Sequence, residues 1–262
     1  MSEPAIAYAV EGAVARLTLT QPARLNAITF DMWRSLPGLV ARAEADASAR
    51  LILVEGSGER AFSAGADISQ FGERRSGDEA VRDYEVAVAA AMAALANAGK
   101  PTLARIRGLA FGGGLALALC CDLRLASANA RFRIPAARLG LGYAFAGVEA
   151  LAARIGVDAA ADLLLTARIL DGREAERLGL LTKCWEADVF EAEAGAYIAG
   201  IAANAPLTLA ALKRALIECR KVPAERDRGG ADALVEACFR SADYAEGQAA
   251  FRDKREPRFR GV

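Results

Sequence analysis

Histidine is absent from all 262 residues, and that one absence removes a large part of enzyme chemistry. Ser-His-Asp and Cys-His hydrolases need an imidazole base, and zincins and other His-metal sites need an imidazole ligand. Acid–base work is left to Asp, Glu, Tyr, Lys, Cys or water. Cysteine is scarce as well. Cys120, Cys121, Cys184, Cys219 and Cys238 form no CxxC pair and leave an odd thiol, so neither a disulfide framework nor a zinc site is supported and no metal is expected. Cys120 and Cys121 read as small buried apolar residues. Neither charge is in excess, with 33 Lys+Arg against 33 Asp+Glu, which argues against a nucleic-acid partner. Apolar runs such as Leu115 to Cys121 fall far short of the roughly 20 residues that cross a bilayer, so no membrane partner is expected. Met1-Ser2-Glu3-Pro4 has neither the basic nor the apolar part of a signal peptide, and a cytoplasmic location is the expectation.

What is present is α/β patterning in a chain long enough to bury a substantial core. Residues 5–10 and 13–20 alternate and predict a hairpin around Glu11-Gly12, and residues 30–46 carry apolar side chains at helical spacing. Leu51 to Val54 reads as a short buried strand. Ser76-Gly77-Asp78-Glu79 has capping-box spacing and opens an alanine-rich helix expected to run to about Ala98, before Lys100-Pro101. Strand 102–107, a glycine loop, a helix from about 113 and strand 122–126 then follow. Helix signals dominate from Gly147 to Phe251, with one short strand near Thr182 to Trp185 and a second capping-box start at Asp171-Gly172-Arg173-Glu174.

Two glycine-bearing loops carry the chemistry: Ala61-Phe62-Ser63-Ala64-Gly65-Ala66-Asp67-Ile68 and Gly108-Leu109-Ala110-Phe111-Gly112-Gly113-Gly114-Leu115. Each follows a strand-like run, Leu51 to Val54 or Thr102 to Ile106, and leads toward a helix. Each can therefore aim free backbone N–H groups at a common point, and two such donors make an oxyanion hole. The same glycines would also serve ordinary tight turns. Neither GxGxxG nor GxxxxGK[ST] spacing occurs at Gly112 to Gly114, so a nucleotide-phosphate loop is a poor alternative.

The two loops, with Pro22-Ala23-Arg24-Leu25-Asn26-Ala27, Arg131-Phe132-Arg133-Ile134-Pro135, Leu139-Gly140, Ala175-Glu176-Arg177-Leu178-Gly179-Leu180 and Phe251-Arg252-Asp253-Lys254-Arg255, resemble the crotonase (enoyl-CoA hydratase/isomerase) family over nearly the whole chain. The resemblance implies a spiral of repeated ββα units over residues 1–195 and a helical trimerisation region over 196–262. It also implies acyl-CoA thioesters as substrates, no cofactor beyond their coenzyme A moiety, and assembly as a homotrimer or dimer of trimers. Carried over by position, the oxyanion donors are the amides of Ala66 and Gly113. Arg24 meets phosphate near the entrance, and Leu25, Ala27, Ala64, Asp67 and Ile68 line the adenine and pantetheine path. Leu109, Gly112, Ala116, Pro135, Ala136 and Leu139 also fall at substrate-binding positions, and Lys254 reaches a phosphate of a neighbouring subunit's ligand. Asp67 reads equally well as a helix cap, and Arg24 and Lys254 as solvated charges.

The family's acid positions are where the chain departs from the pattern. Hydratases of the family place paired glutamates where this sequence has Ala116 and Ala136, and isomerases and dehalogenases use an acidic residue where it has Ala144. One positioned acid or base is worth roughly 10² to 10⁴ in rate, so weak or absent classical hydration is expected. Tyr143 remains near the acyl end. A tyrosine occupies the similar place in the family's methylmalonyl-CoA decarboxylases, which need no carboxylate base but carry a histidine where Ala66 stands here. Tyr143 is therefore a candidate catalytic residue, exposed to the acyl group, or else an aromatic wall of the pocket. Glu149 is read as opening the next helix, as a substitute carboxylate or as a partner of the helix dipole. Three functions stay open: an acyl-CoA lyase or isomerase, a decarboxylase-like enzyme using Tyr143, and a catalytically silent acyl-CoA-binding subunit.

Overall fold

The computed structural model describes residues 5–70, 72 and 77–262. Strands β1 (Ile6–Glu11) and β2 (Val14–Leu19) pair antiparallel, Ile6 opposite Leu19 and Glu11 opposite Val14, around Gly12 at φ +60°. β2 then runs parallel to β3 (Leu51–Gly56), and the sheet continues in parallel through β5 (Thr102–Ile106), β7 (Leu123–Ser127) and β10 (Lys183–Trp185). All six residues of β3 are buried, as a central strand covered on both faces requires.

A second, four-stranded sheet is built from short pieces: β4 (Ala61–Ser63), β6 (Leu109–Phe111), β8 (Arg131–Arg133) and β9 (Leu170–Asp171). The two glycine loops were expected to pass directly from strand to helix. Each instead contains a three-residue strand, β4 or β6, and these two pair in parallel. Pieces this short carry no measurable period, and pairing with each other is what makes them strands.

Helix α1 (Phe30–Ala45) starts at Thr29, whose hydroxyl accepts from the Met32 amide at 3.3 Å. It buries Met32, Trp33, Leu36, Val40 and Ala43, an apolar stripe at helical spacing. Helix α2 (Asp78–Ala96) packs on it. Ser76 of the expected capping box lies outside the described residues; the N-cap is Gly77, at φ +86°, with no side-chain cap bond. Helix α3 (Gly113–Cys120) is buried from Gly114 through Leu119, so it threads the core rather than lying on it. Four further helices follow among the described residues: α4 (Ala136–Leu139), α5 (Phe145–Ile155), α6 (Val157–Thr166) and α7 (Gly172–Arg177). Asp171 caps α7 by accepting from the Glu174 amide at 2.8 Å, whereas Glu174 itself turns to Arg168.

The C-terminal helices are α8 (Phe190–Ala202), α9 (Pro206–Cys219), α10 (Arg228–Phe239) and α11 (Ala242–Asp253). Phe190, Ala194 and Ile198 of α8 form a second core with Leu51, Leu53, Leu103 and Leu125 of the large sheet. The expected boundary between residues 195 and 196 falls inside this helix. Lys213 of α9, 2% exposed, ties the helical region to the start of β7 with Nζ at 2.7 and 2.8 Å from the Asp122 carboxylate.

Candidate active site

The turn at Ala66 is fixed from both sides. The Gly65 carbonyl accepts from the Ile28 amide at 2.7 Å, and the Asp67 amide donates to the Ile28 carbonyl at 3.0 Å. Gly65 adopts φ +104°, and its own amide donates to Ser63 Oγ at 3.1 Å. The Ala66 amide between these bonds has no acceptor among the described residues.

The glycine triplet divides its labour. Gly112 takes φ +48° and ψ −119°, a conformation open only to glycine, and its amide donates to the Arg133 carbonyl at 2.8 Å. Gly113 is the first residue of α3, so its N–H has no intrahelical acceptor and the positive end of the helix dipole adds to it. A Cβ on Gly113 would lie 3.4 Å from the Ala66 nitrogen, and one on Gly65 would lie 3.3 Å from the Gly113 nitrogen. Two amides without an acceptor among the described residues, from loops far apart in sequence, are thus brought close together. Gly114 meets the back of the first loop, where a Cβ would sit 2.6 Å from Ser63 Cβ.

Segment 24–27 and the first loop form a corner beside this pair. The Ala64 amide donates to the Leu25 carbonyl at 2.9 Å, Ala27 is 8% exposed and Ile68 is 62% exposed. Arg24 Nη1 lies 3.1 Å from Asp67 Oδ2 and 2.7 Å from Ser69 Oγ. Asp67 also accepts from the amide and hydroxyl of Ser69 and so caps the short helical turn Ile68–Gln70, as its alternative reading anticipated. Burial pushes the Asp67 carboxyl up, but the Ser69 hydrogen bonds and Arg24 outweigh it and hold the group below its ordinary value. Asn26 was not singled out by sequence reasoning, although it organises the corner. It is fully buried, donates to the Ser57 and Ala61 carbonyls at 2.9 and 2.7 Å, and accepts from the Gln21 amide at 3.0 Å. A lone amide within an otherwise apolar stretch was the signal available.

Of the residues expected to lie near an acyl group, Ala116 on α3 is 8% exposed, and Ala136 opens α4 after Pro135. Leu109 on β6 is partly buried, and Leu139, at the end of α4, is 51% exposed. The expected exposure of Tyr143 does not hold, because its ring is half-buried and its hydroxyl is sealed from solvent without a hydrogen-bond partner among the described residues. Burial, with a small contribution from Cys120, pushes its pKa up to about 12, so it is a neutral phenol. Gly147 makes room for the ring: a Cβ there would lie 2.8 Å from Tyr143 Cε1. Glu149 is exposed and sits beyond the first turn of α5, so it neither replaces a buried carboxylate nor stabilises that helix's dipole. Lys254 ends α11 at φ +52°, exposed, with no ion pair or hydrogen bond to the loop residues. Among the described residues no group of His, Cys, Asp and Glu side chains converges to hold a metal ion.

The enoyl-CoA hydratase/isomerase family model matches residues 9–262. The chain belongs to that family. It is 34% identical to a probable enoyl-CoA hydratase of Bacillus subtilis, covering 98% of this chain and 99% of that one. It is 32% identical to the carnitinyl-CoA dehydratase of Proteus mirabilis, over 95% of this chain and 96% of its relative. Its fold matches the crystal structure of an enoyl-CoA hydratase/carnithine racemase from Magnetospirillum magneticum with a TM-score of 0.91 at 35% identity, covering 100% of this chain and 97% of the other. The crotonase fold expected from the sequence is therefore the fold of the molecule, including its helical C-terminal region. No single helix among the described residues is long and apolar enough to cross a membrane.

Proposed function

We propose that this family member is an acyl-CoA lyase or isomerase that holds a thioester oxyanion between the Ala66 and Gly113 amides, with little or no classical hydratase activity and no cofactor beyond its substrate's coenzyme A. The convergence of the two unpartnered amides carries this reading. Each such donor is worth about 3 to 4 kcal/mol toward a developing oxyanion. The coenzyme would enter past Arg24, Leu25, Ala27, Ala64, Asp67 and Ile68, with Leu109, Gly112, Ala116, Pro135, Ala136 and Leu139 around the acyl portion.

The weak hydration follows from alanine at positions 116, 136 and 144, which leaves no carboxylate there to activate water. Crotonyl-CoA hydration by the wild type and by Ala116→Glu/Ala136→Glu tests this. We expect wild-type turnover at least 10²-fold below that of a good hydratase, and a rise in the double variant. Efficient wild-type hydration would overturn the reading. Screening an acyl-CoA panel by mass spectrometry then separates an enzyme, which converts a thioester, from a silent acyl-CoA binder, which converts none.

A decarboxylase-like reaction is the second reading, favoured by the neutral, unpartnered hydroxyl of Tyr143. Loss of carbon dioxide generates the enolate without a base, and a neutral phenol can donate a hydrogen bond where a phenolate cannot. A homotrimer or dimer of trimers is the proposed assembly, with Lys254 serving a neighbour's ligand. An apolar groove of about 600 Å³ on α9–α11, with Leu212, Phe239 and Phe251 exposed, is the surface such contacts would cover. Light scattering that reports a stable monomer would overturn the assembly.

A further inference from the structure

We propose that the groove between the β8–α4 corner and the turn after α6 is a binding site for a small polyanion of the diphosphate class. The groove encloses about 490 Å³ and is lined by Arg133, Arg138, Thr166, Ala167, Arg168 and Ile169. Guanidinium groups from two separate segments converge on it, and no carboxylate among the described residues lines it. Arg168 is held by Asp162 at 2.6 Å and Glu174 at 2.8 Å, neither of which is a lining residue. Arg133 spends only Nε, which donates to the Ala167 carbonyl at 2.6 Å, so its two Nη nitrogens have no partner among the described residues. No hydrogen bond or ion pair engages the Arg138 side chain among those residues either.

Several arginines elsewhere are neutralised by carboxylates: Arg105 meets Glu55 and Glu191, Arg173 meets Glu176 and Glu186, and Arg255 meets Glu246. Two unpaired forks in one groove, in a chain of zero net charge, mark a place left open for an external counter-charge. A guanidinium fork recognises phosphate or carboxylate oxygens in pairs. A lone carboxylate engages one fork, whereas a diphosphate presents enough oxygens for both. No aromatic residue among those described lines the groove to stack a base, so the anionic group itself is what the site recognises. It also backs onto the oxyanion loop, because the Arg133 carbonyl receives the Gly112 amide.

Calorimetric titration of the whole protein with inorganic pyrophosphate tests the site. We expect saturable uptake of one pyrophosphate per chain, weakened about tenfold or more in Arg138→Gln, a loss typical of a charge-assisted hydrogen bond. Because Arg138 is exposed and unpartnered, the melting temperature of that variant stays at the wild-type value. Arg24→Gln leaves pyrophosphate uptake unchanged. Competition with coenzyme A identifies the source: displacement of pyrophosphate by coenzyme A assigns the groove to the coenzyme's diphosphate, and simultaneous binding assigns it to a free anion. Both results support the site, and failure of coenzyme A to bind anywhere strikes the proposed function while leaving the pyrophosphate measurement standing. Absence of saturable uptake at millimolar pyrophosphate would overturn the proposal. So would uptake that ignores Arg138→Gln, uptake lost only in Arg24→Gln, or an oligomer that Arg138→Gln dissociates without any pyrophosphate binding, since a carboxylate of a second copy would then fill the groove.

Discussion

Adding one methyl group at Gly113 or at Gly114 separates catalysis from folding, although the two residues are neighbours. A Cβ at position 114 would lie 2.6 Å from both Ser63 Cβ and the Ser63 carbonyl oxygen, inside any tolerable contact. Overpacking of this kind costs about 1 to 3 kcal/mol. Helix propensity returns about 0.5 to 1 kcal/mol of it. The expected net loss for Gly114→Ala is therefore up to about 2.5 kcal/mol, which lowers Tm by about 2 to 4 °C per kcal/mol in a chain of this size. At position 113 the nearest atoms are the Ala66 nitrogen and Trp33 Cζ2, both at 3.4 Å, so folding is hardly disturbed. That methyl instead crowds the space where an oxygen would have to sit about 2.7 to 3.1 Å from both donors. Gly113→Ala should thus keep the wild-type stability and lose about 10² to 10³ in kcat toward the thioester that the panel identifies. Urea unfolding and turnover per folded molecule measure the two effects separately. If Gly113→Ala unfolds as easily as Gly114→Ala, or turns over at the wild-type rate, the space between the amides is not where the oxyanion forms.

The buried ion pair of Lys213 and Asp122 should dominate the acid side of the stability profile. Burial raises the Asp122 pKa, but Lys213, the Thr102 amide and Arg220 overcome that and hold it below its ordinary value. The stability this pair contributes is therefore complete above the unfolded-state pKa and is lost as pH falls through the folded one, and Asp122→Asn should flatten that part of a urea-midpoint-against-pH curve. Lys213→Met strands a buried carboxylate and should cost about 3 to 5 kcal/mol, and a loss under 1 kcal/mol would show that Arg220 alone suffices. Tyr143→Phe removes a sealed, unpartnered hydroxyl, so stability should hold or improve by about 1 kcal/mol. Its kcat should fall with KM nearly unchanged if the phenol serves turnover, whereas unaltered kinetics would make the tyrosine a pocket wall. Since the folded pKa of Tyr143 is raised to about 12, wild-type stability should also decline as pH rises from about 10 toward 12, where only the unfolded chain ionises.

Sequence by itself determined the elements whose period is long enough to read. The β1–β2 hairpin, the apolar stripe of α1, the buried strand β3 and the start of α3 at Gly113 follow from local patterning, because alternation or helical spacing over several residues leaves one face to bury. The absence of histidine and the alanines at 116, 136 and 144 are likewise facts of sequence, and the proposal of weak hydration rests on those alanines. Tertiary structure decided what depends on neighbours distant along the chain. The short strands β4, β6, β8 and β9 exist only by pairing with one another, and that pairing brings the Ala66 and Gly113 amides together. The Tyr143 hydroxyl is sealed from solvent, with its ring seated against Gly147, a matter of side-chain packing that no spacing rule encodes. Glu149 faces solvent for the same reason, since a helical residue's surroundings are set by what packs on its helix. The unpaired forks of Arg133 and Arg138 could not be distinguished in sequence from other arginines, because pairing is settled only when separate segments meet.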